Sequence, residues 1–171
     1  MTVKRTDSLP CDDRTGLPIP WSAGALANGR PAFSVLDPEK VLAAATKGLC
    51  GVCGQKLEYW IAFLGGPMSA RSGQFVDPPM HVECAAQSLE LCPHIAAGSD
   101  VKAVSSNGPR AKRTPTDWFL YVCRAFVFNE GDPGGAFHAK PAKRIERYTY
   151  VNGVLRPAGK VEQSAVGAGM N

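Results

Sequence analysis

Long apolar runs are missing from this chain: none approaches the roughly 20 residues a helix needs to cross a bilayer, so a helical membrane protein is not expected. Residues 1–10 are polar and lack the order of a charged segment followed by an apolar one, which argues against a secretory leader. Internal repeats and charged low-complexity blocks are also lacking. That removes solenoid arrays and polyelectrolyte tails from consideration. Histidine is sparse, with 3 residues in all and none between residues 54 and 80.

What is present fits a globular protein of one compact domain, or a small metal module with a second lobe. The 171 residues are 44% hydrophobic and 20% charged, enough to bury a core. Gly 18 and Pro 14 indicate many turns and short elements. Six cysteines allow a reading as three disulfides, but a close C-x-x-C followed by H-x-x-C is better explained by metal in a reducing compartment. A cytoplasmic location is therefore expected, with no membrane partner.

Charge is unevenly spread. Residues 1–100 carry 8 Lys and Arg against 10 Asp and Glu, a balance of −2, whereas residues 101–160 carry 11 against 4, a balance of +7. The basic character of the C-terminal part suits either an acidic partner such as nucleic acid or a well-solvated surface.

The chain divides by its local signals. Residues 1–36 hold several Gly and Pro without periodicity and read as an irregular arm, with Trp21 tucked against the body. Asp37-Pro38-Glu39 opens a helix with an N-cap, a proline at the first helical position and an acid near the positive end of the dipole. Lys47 and Gly48 end it. Residues 56–64 and 71–76, separated by Gly65-Gly66-Pro67, predict a hairpin, and residues 81–91 predict a helix closed by Cys92-Pro93. The helix and metal module thus occupy residues 37–97. Residues 98–116 read as a basic linker. A β-rich lobe follows over residues 117–156, with one continuous strand at 118–128, a second at 145–151 and an Asn152-Gly153 turn into Val154-Leu155. Residues 157–171 read as a fraying tail. The fold class expected is α+β: a treble-clef zinc finger of knuckle, hairpin and helix, packed with an antiparallel C-terminal lobe.

Cys50 and Cys53, with Gly51 between them and Gly54 after them, can wrap one ion in a tight turn. His81 and Cys84, three apart at a helix start, lie on one face and complete a tetrahedral set of the kind a structural Zn2+ takes. Glu83, between the second pair, resembles the acid of the zinc-deaminase H-x-E motif. The P-C-x-x-C half of that signature stands upstream here and lacks its proline, so Glu83 reads as an exposed helix residue and no catalytic residue is assigned. Cys92 and His94 could join Cys11, Cys123 or His138 in a second site, but nothing fixes that grouping.

The strings K-G-L-C-G-V-C-G-Q-K-L, F-L-G-G-P-M-S and D-P-P-M-H-V-E-C-A, with Cys92-Pro93 after them, resemble a group of small uncharacterised zinc-binding proteins encoded by bacteriophages, prophages and bacteria, notably actinobacteria. The likeness is clearest over residues 47–95 and looser at G-L-P-I-P-W and W-F-L-Y-V-C-R. It implies a phage context, hence a host cytoplasm, and no mechanism. Three readings follow. One is a non-enzymatic protein that contacts nucleic acid through Arg110, Lys112, Arg113, Lys140, Lys143, Arg144 and Arg147, with Tyr148 and Tyr150 available to stack. Another is a factor that binds a host or phage protein. The last is an HNH-type nuclease, opposed by the lack of histidine over residues 54–80. No small-molecule substrate is indicated.

Overall fold

A computed structural model describes residues 5–96, 115–132 and 136–166. The strands are β1 (Ala23–Ala25), β2 (Pro31–Leu36), β3 (Ile61–Gly65), β4 (Gln74–Phe75), β5 (Met80–His81), β6 (Asp117–Cys123), β7 (Phe126–Phe128), β8 (Phe137–Ala139), β9 (Arg144–Val151) and β10 (Val154–Val161). The α-helices among the described residues are α1 (Pro38–Lys47), α2 (Pro67–Ser72), α3 (Val82–Leu91) and α4 (Pro93–Ala96). The class is α+β with three antiparallel sheets. No helix of the described residues is long and apolar enough to cross a membrane.

The largest sheet runs β10-β9-β6-β3-β5. Its central strand β6 pairs with β3 on one side (Ile61 opposite Cys123) and β9 on the other (Val122 opposite Arg144). Both faces of β3 and β6 are covered, which is why these strands read as unbroken apolar runs rather than alternating ones. Ala62, Leu64, Leu120 and Val122 face one cluster with Val52, Met80, Cys84, Ala85 and Leu89. Ile61, Phe63, Phe119 and Tyr121 face the other with Phe75, Phe137 and Ile145. The second cluster is aromatic: the rings of Phe63 and Phe75 stack at 4.8 Å, and Phe126 and Phe128 each meet Phe137 at 5.5 and 5.0 Å.

The signals around α1 are met. The Asp37 carboxylate accepts from the N–H groups of Glu39 and Lys40 at 3.0 and 3.3 Å, and Gly48 closes the helix in the left-handed region at φ 63°. Four other expectations give way. The end of the arm expected to be irregular folds as the β1–β2 hairpin, turned at Asn28-Gly29 with Gly29 at φ 79°, the same dipeptide signal as Asn152-Gly153. Residues 71–76 are not a return strand. Pro67 at the first helical position and Gly73 at φ 73° bracket α2, the short β4 that follows pairs with β8, and β3 has β5 and β6 as its antiparallel partners. The run 118–128 is two strands in different sheets, broken at Arg124-Ala125. The tail does not fray at Pro157. The chain continues as β10 to Val161, because β10 lies at the sheet edge where proline's missing N–H is harmless, and Val166 is buried beyond it.

The metal side and the C-terminal part are therefore not a module packed beside a lobe: they contribute strands to one sheet. Arg110, Lys112, Arg113 and the linker expected at 98–116, up to residue 114, lie outside the described residues.

Candidate metal centre

Backbone hydrogen bonds shape the knuckle before any metal is considered. The Cys50 N–H donates to the Gln55 carbonyl at 2.8 Å, and the Gly54 N–H donates to the Cys50 carbonyl at 2.8 Å, closing the turn. Gly54 sits at φ 71°, and a Cβ there would lie 2.7 Å from the Trp21 ring. Trp21 thus packs against the body as expected, and its place there is over the knuckle, fixed by its own backbone N–H to the Val52 carbonyl at 2.8 Å. On the other side the Gly51 N–H donates to the Pro79 carbonyl at 2.9 Å, which ties the knuckle to the approach to β5.

β5 ends at His81, which is also the residue preceding α3, and Cys84 stands in the first turn of that helix. The Sγ atoms of Cys50, Cys53 and Cys84 and one ring nitrogen of His81 all lie within 4.8 Å of one another. Cys53 Sγ and Cys84 Sγ are 3.4 and 3.8 Å from His81 Nδ1. Bonds of about 2.3 Å to sulfur and 2.0 Å to nitrogen place tetrahedral ligand atoms about 3.5–3.8 Å apart, so the spacing suits a metal ion at the centre. His81 Nε2 lies 2.9 Å from the Lys56 carbonyl, an acceptor only, so Nε2 carries the proton and Nδ1 presents its lone pair inward. Every one of the four sequence-derived ligands is at this centre.

The three thiols differ in how readily they ionise. The Cys50 thiol is pushed down to about 5, chiefly by the hydrogen bond it accepts from Cys84, with backbone N–H groups of Cys53, His81 and Val52 assisting and burial opposing. Cys84 is pushed up by giving that bond and by burial, and Cys53 is pushed up by burial. Three thiolates this close repel unless a cation joins them. A divalent ion lets all three ionise at neutral pH.

Around the centre, Arg5 bridges the segment leaving the knuckle to the helix. It bonds Gln55 Oε1 at 3.0 Å and Glu83 Oε2 at 3.4 Å and pairs with Glu58. Glu83 is an exposed helix residue with an arginine partner. Among the described residues this is the one group of three or more potential ligands, so Cys11, Cys92, His94, Cys123 and His138 form no second centre. His138 is instead held by Asp132 at 2.9 Å and lies 3.5 Å from the Gln74 amide.

The four described basic residues do not form one patch. Lys140 and Lys143 are exposed in the β8–β9 connection. Arg144 pairs with Glu146 at 2.8 Å, and Arg147 makes two hydrogen bonds, at 3.1 and 3.2 Å, to the buried carboxylate of Asp117. Strand alternation puts Arg144 and Arg147 on opposite faces of the sheet. Tyr148 and Tyr150 are not a stacking platform either. Tyr150 donates to the Ile95 carbonyl and accepts from Trp118 Nε1, and Tyr148 packs on the core beside α3. The exposed aromatics are elsewhere: Tyr59 and Trp60 are 60% and 37% exposed just before β3, with the Arg124 guanidinium 4.2 Å from the Tyr59 ring centre. The apolar run at 56–64 predicts both as strand residues, but β3 begins only at Ile61.

No protein-family pattern, curated protein or solved structure proved similar to this chain.

Proposed function

We propose that this chain is a non-enzymatic, zinc-stabilised binding protein whose C-terminal part contacts nucleic acid. The observation that carries the reading is the closed set of Cys50, Cys53, His81 and Cys84, three of the four buried, with donor chemistry that favours Zn2+ and no position left for water. Zinc at a closed site contributes folding energy rather than catalysis, on the order of 10 kcal/mol in zinc-finger peptides. The arrangement is treble-clef-like: a knuckle, the antiparallel β3–β5 pair and the first turn of α3, with α2 and β4 inserted between the two strands. Charge supports the partner class, since residues 101–160 carry the balance of +7. On the resemblance read from the motifs of residues 47–95, such a role belongs in a bacterial cytoplasm.

A second reading, a protein partner, is favoured by one feature. Val35, Leu42, Val76 and Phe128 line a groove of about 520 Å³ between β2, α1 and β7, and the first three are exposed. Elemental analysis of purified protein and nucleic-acid affinity across a salt series decide the matter. About one equivalent of zinc, with affinity that falls steeply as salt rises, is the expected result. A folded protein free of metal overturns the zinc centre. No binding at low ionic strength overturns the nucleic-acid partner and leaves a protein partner, to be captured with nuclease present.

A further inference from the structure

The strand register gathers one set of side chains at one end of the five-stranded sheet. Ile61 opposes Cys123, which brings Trp60 and Tyr59, before β3, alongside Arg124, after β6. The Lys143 N–H donates to the Val122 carbonyl at 2.8 Å and the Lys140 N–H to the Ala125 carbonyl at 2.9 Å, which brings the start of β9 to the same end. Three stretches distant in sequence meet at this end. Tyr59, Arg124, Lys140 and Lys143 are exposed, and Trp60 is 37% exposed.

We propose that Tyr59, Trp60, Arg124, Lys140 and Lys143 form a strip that binds single-stranded nucleic acid. The proposal rests on the nucleic-acid reading above and names the surface that serves it. Large aromatic rings facing water offer a π-face to any unpaired base, and neighbouring cations take the phosphates between bases. The two rings meet edge to face at 5.0 Å and 90°, and Arg124 lies over Tyr59, so their orientation is set before a ligand arrives. Local acids do not cancel the charge: Glu58 is bridged to Arg5, and Glu146 to Arg144. Among the described residues Arg124, Lys140 and Lys143 make no ion pair to a carboxylate, in contrast to Arg147, which is committed to Asp117. Stacking selects single strands, because bases within a duplex keep their faces against one another.

The test is fluorescence anisotropy of zinc-loaded protein with labelled oligo-dT, oligo-rU and a duplex of equal length, with Trp60 quenching as a second signal. Wild type is expected to prefer the single strands. Tyr59→Ala and Trp60→Ala each lower affinity by about tenfold with little change in salt slope, and Trp60→Phe, which keeps a ring, restores most of it. Arg124→Glu and Lys143→Glu each reduce the slope of log affinity against log salt by about 0.7 or more. Arg156→Glu, exposed on β10 away from the strip, changes neither preference nor slope by a comparable amount. Salt-dependent binding that these strip variants leave intact overturns the strip and keeps the nucleic-acid reading. No binding by wild type at low salt overturns both.

Discussion

Gly54→Ala tests how closely the knuckle is built around Trp21. Position 54 has φ 71°, where a side chain costs roughly 1–2 kcal/mol through contact with the backbone. The new Cβ would also lie 2.7 Å from Trp21 Cγ and Cδ1, well inside van der Waals contact, and overpacking of this kind costs about 1–3 kcal/mol. The two together predict a loss of about 2–5 kcal/mol, which at the urea sensitivity of a small protein lowers the unfolding midpoint on the order of 1–2 M. The assay is urea unfolding of the zinc-loaded protein, followed by circular dichroism at fixed excess zinc. Trp21→Ala separates the two causes. In the double variant the clash is gone and only the backbone cost remains, so the two substitutions should couple favourably by about 1–3 kcal/mol. An unchanged midpoint in Gly54→Ala, or strict additivity with Trp21→Ala, would refute the reasoning.

Removing zinc with a strong chelator should unfold the protein reversibly, and Cys84→Ala should be unfolded or insoluble; native circular dichroism in a zinc-free sample contradicts this. His81→Cys keeps four donors and should bind metal, yet it loses the bond to the Lys56 carbonyl and about 1 kcal/mol of stability in thermal unfolding. Arg147→Ala leaves the Asp117 carboxylate buried without its cation and should cost about 1–3 kcal/mol by urea titration, whereas Lys143→Ala should cost almost nothing. Burial pushes the Cys123 thiol up to about 11 from 9.0, so the folded state favours its neutral form. Its contribution is complete below pH 9 and is lost as pH rises toward 11. Wild type should therefore lose more stability over that window than Cys123→Ala does, and parallel profiles would count against the assignment.

The metal centre was legible because its determinants are local: a C-x-x-C with flanking glycines and an H-x-x-C at a helix start state their own geometry. The Asp37 cap and Gly48 were legible for the same reason. The mistakes arose where the partner is remote. Residues 118–128 form one apolar run, and nothing within it shows that β6 stays in the large sheet while β7 joins β8. Pro67 and Gly73 carried start and stop signals for α2, but a helix of six residues is too short to show an apolar period. The role of Tyr59 and Trp60 was hidden, because the register of β3 against β6 decides what lies beside them. The commitment of Arg147 was equally hidden, since Asp117 is its neighbour across strands and not along the chain.

Within the five-stranded sheet, β5 and β3 come from residues before 96 and β6, β9 and β10 from residues after 115, with β3 directly beside β6. Neither set is a finished object. Without β6, β3 would present an apolar strand with open hydrogen-bonding groups, and without β3 the buried β6 would do the same. The two stretches are thus complementary fragments, each supplying the other's missing neighbour. A chain severed between residues 96 and 115 should yield two pieces that fail alone and reassemble on mixing, with zinc ordering only the first of them. Folding of the basic half is in this way answerable to an ion it never touches.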